Sequence, residues 1–182
     1  MVLLNSSSCN FDWQPSNFQF INLNGEKGSF YKSFDTNGLL VMFICNHCPY
    51  VKSIETKITT ETQRLKVLNV NSIAFMSNDQ NSYEEDNNKF LIKQISRAKF
   101  EFEYIVDASQ SIAKKFNAQC TPEFYYFNND KKLKYRGRLD SNGKDPSMGK
   151  PELYSAVEEI IAKGYCSSQQ YPSMGCSIKW KN

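Results

Sequence analysis

The feature that most constrains this chain is Leu39-Leu40-Val41-Met42-Phe43-Ile44, an unbroken apolar run opened by Gly38 and closed by Cys45. A run this short, bounded by turn residues and without polar alternation, predicts a strand buried on both faces. From Val51 the period changes. Val51, Ile54, Ile58, Leu65 and Leu68 recur at helical spacing, with Lys52, Glu55, Lys57, Glu61 and Lys66 on the opposite side. A buried strand therefore runs directly into an amphipathic helix, and Cys45-Asn46-His47-Cys48 occupies the junction.

The remaining pattern extends this unit. Phe18, Phe20, Ile21 and Leu23 alternate as in a strand, and Asn24-Gly25-Glu26 turns the chain back toward Phe30-Tyr31, which predicts a hairpin on a sheet edge. Val70 to Met76 reads as a strand, Glu84 to Ala98 as a helix and Phe102 to Val106 as a short strand. Asp107 or Ser109 can cap a helix through Phe116. Phe124 to Phe127 and Leu133 to Arg138, joined by Asn128-Asn129-Asp130, predict an antiparallel hairpin, with the four aromatic residues filling both faces of a central strand. Pro151 opens a last helix that carries Leu153, Val157, Ile160 and Ile161 and stops at Gly164. The order predicts an α/β fold.

A length of 182 residues suits one domain with its own core. We expect an N-terminal extension over 1–17, the domain over 18–164 and a C-terminal tail over 165–182 packed on it. The net charge of +3 arises from 22 basic and 19 acidic residues spread along the chain, so no basic stripe points to nucleic acid as a partner. No long apolar segment points to a membrane. The first ten residues lack a basic start, and Val2-Leu3-Leu4 falls short of a signal core of about 7–15 residues. The expected location is the cytoplasm, where six unevenly spaced cysteines are expected as thiols and not as structural disulfides.

A Cys-x-x-Cys pair between a buried strand and a helix has the context of a redox pair. Backbone N–H groups at a helix amino terminus favour a thiolate. Cys45 comes first and is expected as the nucleophile with a depressed pKa; Cys48, one turn on, is expected to resolve the mixed disulfide. His47, the only histidine, can add positive charge near the Cys45 sulfur. Thr121-Pro122, ahead of a strand, is a candidate cis peptide. Cys9 is expected to be incidental, and Glu123 has no role that the sequence alone supports.

Together these features resemble the thioredoxin fold: a central mixed sheet flanked by helices, here with an N-terminal hairpin and a C-terminal tail. A closer resemblance is to the bacterial redoxins of the alkyl hydroperoxide reductase/thiol-specific antioxidant-like group. It is carried by Cys45-Asn46-His47-Cys48-Pro49-Tyr50-Val51-Lys52, Ser77-Asn78-Asp79, Cys120-Thr121-Pro122-Glu123-Phe124, Tyr135-Arg136-Gly137-Arg138-Leu139-Asp140 and Gly175-Cys176-Ser177-Ile178-Lys179-Trp180. The resemblance implies that Cys45 and Cys48 are catalytic, with His47, Cys120, Thr121 and Pro122 beside them. It also implies exchange with protein or small-molecule disulfides, no cofactor, and a thioredoxin-type electron donor as a candidate partner.

Cys176 is a candidate auxiliary thiol: a relay could pass oxidation from Cys45–Cys48 to a Cys120–Cys176 disulfide, the alternative being that both are small buried core residues. Two alternatives stand beside disulfide exchange. Peroxiredoxins carry Pro-x-x-x-Thr/Ser-x-x-Cys, but aligning their cysteine with Cys48 leaves Cys45 at the hydroxyl position and Val41 at the proline, which argues against specialised peroxidase chemistry. Cys45, His47, Cys48 and Cys120 could instead converge on a metal.

Overall fold

The computed structural model describes residues 3–6, 10–142 and 149–181; Cys9 lies outside the described residues. The strands are β1 (Leu3–Asn5), β2 (Gln19–Ile21), β3 (Lys27–Ser29), β4 (Gly38–Phe43), β5 (Val70–Met76), β6 (Glu103–Val106), β7 (Cys120–Thr121), β8 (Glu123–Phe127), β9 (Leu133–Gly137) and β10 (Met174–Ser177). The helices are α1 (Pro49–Val67), α2 (Asn88–Ala98), α3 (Ser111–Lys115) and α4 (Glu152–Lys163).

The apolar run takes the centre of a five-stranded sheet ordered β6-β5-β4-β8-β9. β4 pairs in parallel with β5 and antiparallel with β8, so the sheet is mixed. Every residue of β4 is buried, because both faces are covered. Leu40, Met42 and Ile44 join Ile54, Ile58, Leu91, Leu153 and Val157 from α1, α2 and α4 on one side. Leu39, Val41 and Phe43 join an aromatic layer on the other. Phe116 anchors that layer, meeting Trp13, Phe30, Tyr125 and Phe127 edge-on at 5.3–5.8 Å. As expected, β8 contributes to both faces, through Phe124 and Tyr126 on one and Tyr125 and Phe127 on the other.

The β2–β3 hairpin attaches to the sheet edge through Leu23 N–H, which donates to Tyr104 O at 2.9 Å. Asp107 caps α3 by accepting from Ala113 N at 2.9 Å. The helix read from Glu84 begins later: Glu84–Asp86 is one 3-10 turn, and α2 starts after Asn87, whose side chain accepts from Phe90 N. That turn points Asp86 inward, where it is fully buried. The tail runs back across the domain, and β10 lies between β1 and β7 in a second sheet.

Gly38 marks the closest approach between central strands. Its φ is +126°, and a Cβ there would stand 2.1 Å from Phe127 O on β8. Gly38→Ala is therefore expected to lower stability by about 2 kcal/mol or more, read as a fall in the denaturant midpoint. An unchanged midpoint would mean that β4 and β8 separate there at little cost.

Candidate active site

β4 delivers the chain to the junction, and the last backbone bond before it is Ile44 N–H to Phe75 O at 3.2 Å. Cys45 follows at once. The helix does not start there: Cys48 is its N-cap and Pro49 occupies the first turn, a position that needs no N–H donor. Cys45, Cys48, Thr121, Pro122 and Cys176 are all buried. Thr121-Pro122 is cis, as the sequence suggested.

The sulfur atoms meet around Thr121. Cys45 Sγ lies 3.3 Å from Thr121 Oγ1. Cys48 Sγ lies 3.2 Å from Thr121 O, to which its thiol donates when protonated, and 2.8 Å from Cys176 Sγ. Cys176 reaches this point because β10 pairs with β7, with Cys176 opposite Thr121 and Ser177 opposite Cys120. Cys120 Sγ instead faces the carbonyl oxygens of Pro122 and Ser173, each at 3.9 Å. The expected Cys120–Cys176 pairing gives way to Cys48–Cys176, since side chains alternate along a strand.

The thiols hold their protons unequally, and in the opposite sense to the sequence expectation. Cys48 is held down to about 5 by the Cys45 thiol, with help from the Cys176 thiol and the backbone N–H groups of Val51 and Cys176, against the effect of burial. Burial pushes Cys45 well above the ordinary thiol range, and donation to Cys48 and the charge of Asp86 push in the same direction. Burial also raises Cys176, to about 12, and raises Cys120. The physical reason is that the donors converge on the Cys48 sulfur, the Cys45 thiol foremost, and the start of α1 adds the Val51 N–H.

His47 is likewise not the source of acidity expected for Cys45. Its Nδ1 lies 2.5 Å from Asp86 Oδ2, and its ring stacks on Tyr83 at 5.0 Å. Asp86 also accepts from Asn46 N at 2.8 Å, His47 N at 3.0 Å and Asn78 Nδ2 at 2.8 Å. Against its burial, these partners, His47 foremost, hold its carboxyl below the usual range. The other side of the loop is braced by Arg97, which bridges Asn46 Oδ1 and Glu55, and by Gln94, whose Nε2 donates to Cys45 O at 3.2 Å.

Glu123 has a role the sequence did not disclose. Its buried carboxylate accepts from Arg136 Nε and Nη2 at 2.9 and 2.7 Å and from Gln119 N at 2.9 Å. It thus fixes the backbone that leads into Thr121-Pro122. Asp86 was hidden because Glu84-Glu85-Asp86 reads as the acidic first turn of a helix. Gly175 had no role in the sequence reading beyond its place in a quoted motif, yet a Cβ there would stand 2.1 Å from Thr121 O. The resemblance reached Glu123 and Gly175, whose motifs it quotes together with those of Asn78 and Arg136, and nothing in the sequence reached Asp86.

Among the described residues, the group with metal-ligand spacing is Cys45, His47 and Asp86, whose ligand atoms lie within 4.8 Å of one another. This group takes in Asp86 in place of the Cys48 and Cys120 of the alternative metal reading. No described helix is long and apolar enough to cross a membrane.

A sequence profile described as Redoxin matches residues 15–151. An uncharacterised conserved protein from Geobacillus kaustophilus is 32% identical, with a TM-score of 0.91, covering 100% of this chain and 97% of its own. A hypothetical protein from Sinorhizobium meliloti is 27% identical, with a TM-score of 0.89, covering 97% and 98%. The thioredoxin domain of a thiol-disulfide oxidoreductase from Bacteroides vulgatus is 12% identical and covers 85% and 99% at a TM-score of 0.63, which identifies the fold as thioredoxin-like. No functionally curated protein matches this chain.

The thiol asymmetry sets a pH dependence. Cys48 has its proton affinity lowered from 9.0 to about 5, so between these values the unfolded reduced chain binds a proton that the folded chain does not. This contribution to stability rises with pH from about 5 to 9 and is lost as pH falls through about 5. Cys45, raised above the ordinary value, adds the opposite slope at higher pH. Ultraviolet titration of the reduced protein should show one thiolate appearing near pH 5 and absent in Cys48→Ser. A thiolate that survives in Cys48→Ser and vanishes in Cys45→Ser would reverse the assignment.

Proposed function

The chain belongs to the Redoxin family, and we propose that it is a thiol:disulfide oxidoreductase working through Cys45 and Cys48. The observation that carries this reading is that both sulfurs meet at the cis Thr121-Pro122 peptide, Cys45 Sγ 3.3 Å from Thr121 Oγ1 and Cys48 Sγ, at the cap of α1, 3.2 Å from Thr121 O. Cys48, as thiolate, attacks one sulfur of a substrate disulfide; the other substrate sulfur leaves as a thiolate and takes up a proton. Cys45 then gives up its proton and attacks Cys48 Sγ. The Cys45–Cys48 bond forms as the Cys48–substrate bond breaks, so two electrons pass from the pair to the substrate. The order of the two cysteines is the reverse of the one expected from their sequence positions, because the proton distribution favours Cys48 as the attacking atom.

A small cavity beside Pro122, lined by Tyr50, Ile54, Phe124, Leu139 and Met174 together with Arg138, Asp140 and Ser173, suits a side chain with an apolar body flanking a substrate cysteine. The substrates that fit are protein or small-molecule disulfides, with a thioredoxin-type dithiol returning the pair to its reduced state. A second reading, peroxide reduction, draws support from the Cys45 thiol donating to the Cys48 thiolate from the position where peroxiredoxins carry a hydroxyl. Val41 at the proline position weighs against it.

Reduction of a small protein disulfide should fall by about 10³-fold or more in Cys48→Ser, and stopped-flow oxidation by hydrogen peroxide should be slow. Retained turnover in Cys48→Ser, with substrate adducts collecting on Cys45, would restore the opposite order. Oxidation by peroxide faster than disulfide exchange would select the peroxidase reading.

A further inference from the structure

We propose that Cys176 is a second partner thiol for Cys48, so that one sulfur is served by two alternative resolving cysteines. This rests on the disulfide-exchange reading above. Cys176 Sγ is 2.8 Å from Cys48 Sγ, while a disulfide needs about 2.0 Å; a movement of less than about an ångström closes the bond.

Three independent features deliver Cys176 to that point. β10 is held on both edges, by β1 with Leu3 opposite Cys176 and by β7 with Thr121 opposite Cys176. Gly175 lets the tail lie against the Thr121-Pro122 peptide, because any Cβ would collide with Thr121 O. Beyond the strand, Lys179 N donates to Asn78 Oδ1 at 2.8 Å and Lys179 O accepts from Asp79 N at 2.9 Å. The tail is thus pinned on either side of Cys176.

When Cys48 carries a substrate sulfur, the Cys176 thiol attacks Cys48 Sγ. The Cys48–Cys176 bond forms, the Cys48–substrate bond breaks, and the substrate sulfur leaves with the proton that Cys176 gives up. The same attack on a Cys45–Cys48 disulfide releases Cys45 as a thiol. The oxidant is the substrate disulfide and no other is needed. Part of what holds the Cys176 proton is its bond to Cys48 and the charge there; once Cys48 is in a disulfide, that hold is gone.

The test treats reduced wild type, Cys45→Ser and Cys45→Ser/Cys176→Ser with oxidised glutathione, followed by rapid alkylation and mass mapping of non-reduced peptides; Cys45→Ser/Cys176→Ala repeats the last arm with an apolar replacement. Cys45→Ser should yield a Cys48–Cys176 disulfide, and the double variants should keep glutathione on Cys48 at least about tenfold longer, since a neighbouring thiol competes intramolecularly. Equal adduct lifetimes, with Cys176 still alkylated in Cys45→Ser, would overturn the role of Cys176 and leave the exchange reading intact. No adduct or disulfide at Cys48 in any variant would overturn both. Gly175→Ala, with every thiol present, should lower the Cys48–Cys176 product about tenfold while Cys45–Cys48 still forms; an unchanged yield would also overturn the proposal.

Discussion

The buried carboxylate of Asp86 is the interaction on which the geometry of the site depends. A fully buried negative charge persists only where donors replace its water, and Asp86 gathers four of them from Asn46, His47 and Asn78. Hydrogen bonds to a charged group contribute about 1.5–3 kcal/mol each, so the loop between the cysteines is tied to the segment after β5. Asn78 carries the tie further, because its Oδ1 accepts from Lys179 N. One carboxylate thereby links the redox loop, the end of β5 and the C-terminal tail, the three segments that place Cys45, Cys48 and Cys176.

Glu123 does the corresponding work across the site. It sits immediately after Pro122, is fully buried, and meets Arg136 from β9 in a pair that is almost fully excluded from solvent. Its second oxygen accepts from the backbone of Gln119, so the pair sets the path of the chain into Thr121. The cysteines and the cis peptide thus lie between two buried carboxylates, Asp86 and Glu123. Asp86 and Cys48 both push the Cys45 proton on more firmly. A second negative charge in this enclosure is disfavoured, and the pair holds one.

Much of this was legible in the residues. The six-residue run and the helix after it disclosed the junction because a buried strand and an amphipathic helix differ in period. Thr121-Pro122 disclosed the facing segment because proline restricts what can precede a strand. The proton distribution was not legible, because it turns on contacts among the Cys45, Cys48 and Cys176 thiols, and a partner 128 residues away leaves no local pattern. Asp86 and Glu123 were not legible as buried anions because nothing local separates an inward acidic residue from a solvated one; their partners come from 39 and 13 residues away.

The placement of the thiolate changes what each cysteine can do. Had it formed on Cys45, its resolving thiol would be Cys48, and Cys176 would be a small residue filling space behind it. On Cys48 it faces thiols on two sides, Cys45 through the loop and Cys176 through the tail. The groups that stabilise it most are those thiols and the backbone N–H groups of Val51 and Cys176. A cation would keep its hold on the site whatever the redox state. Thiol donors do not, since each becomes a nucleophile when the sulfur it supports is oxidised. Stabilisation of the reduced state and the means of leaving the mixed disulfide are then the same groups, which is why a third thiol at this distance changes the chemistry and does not merely fill the core.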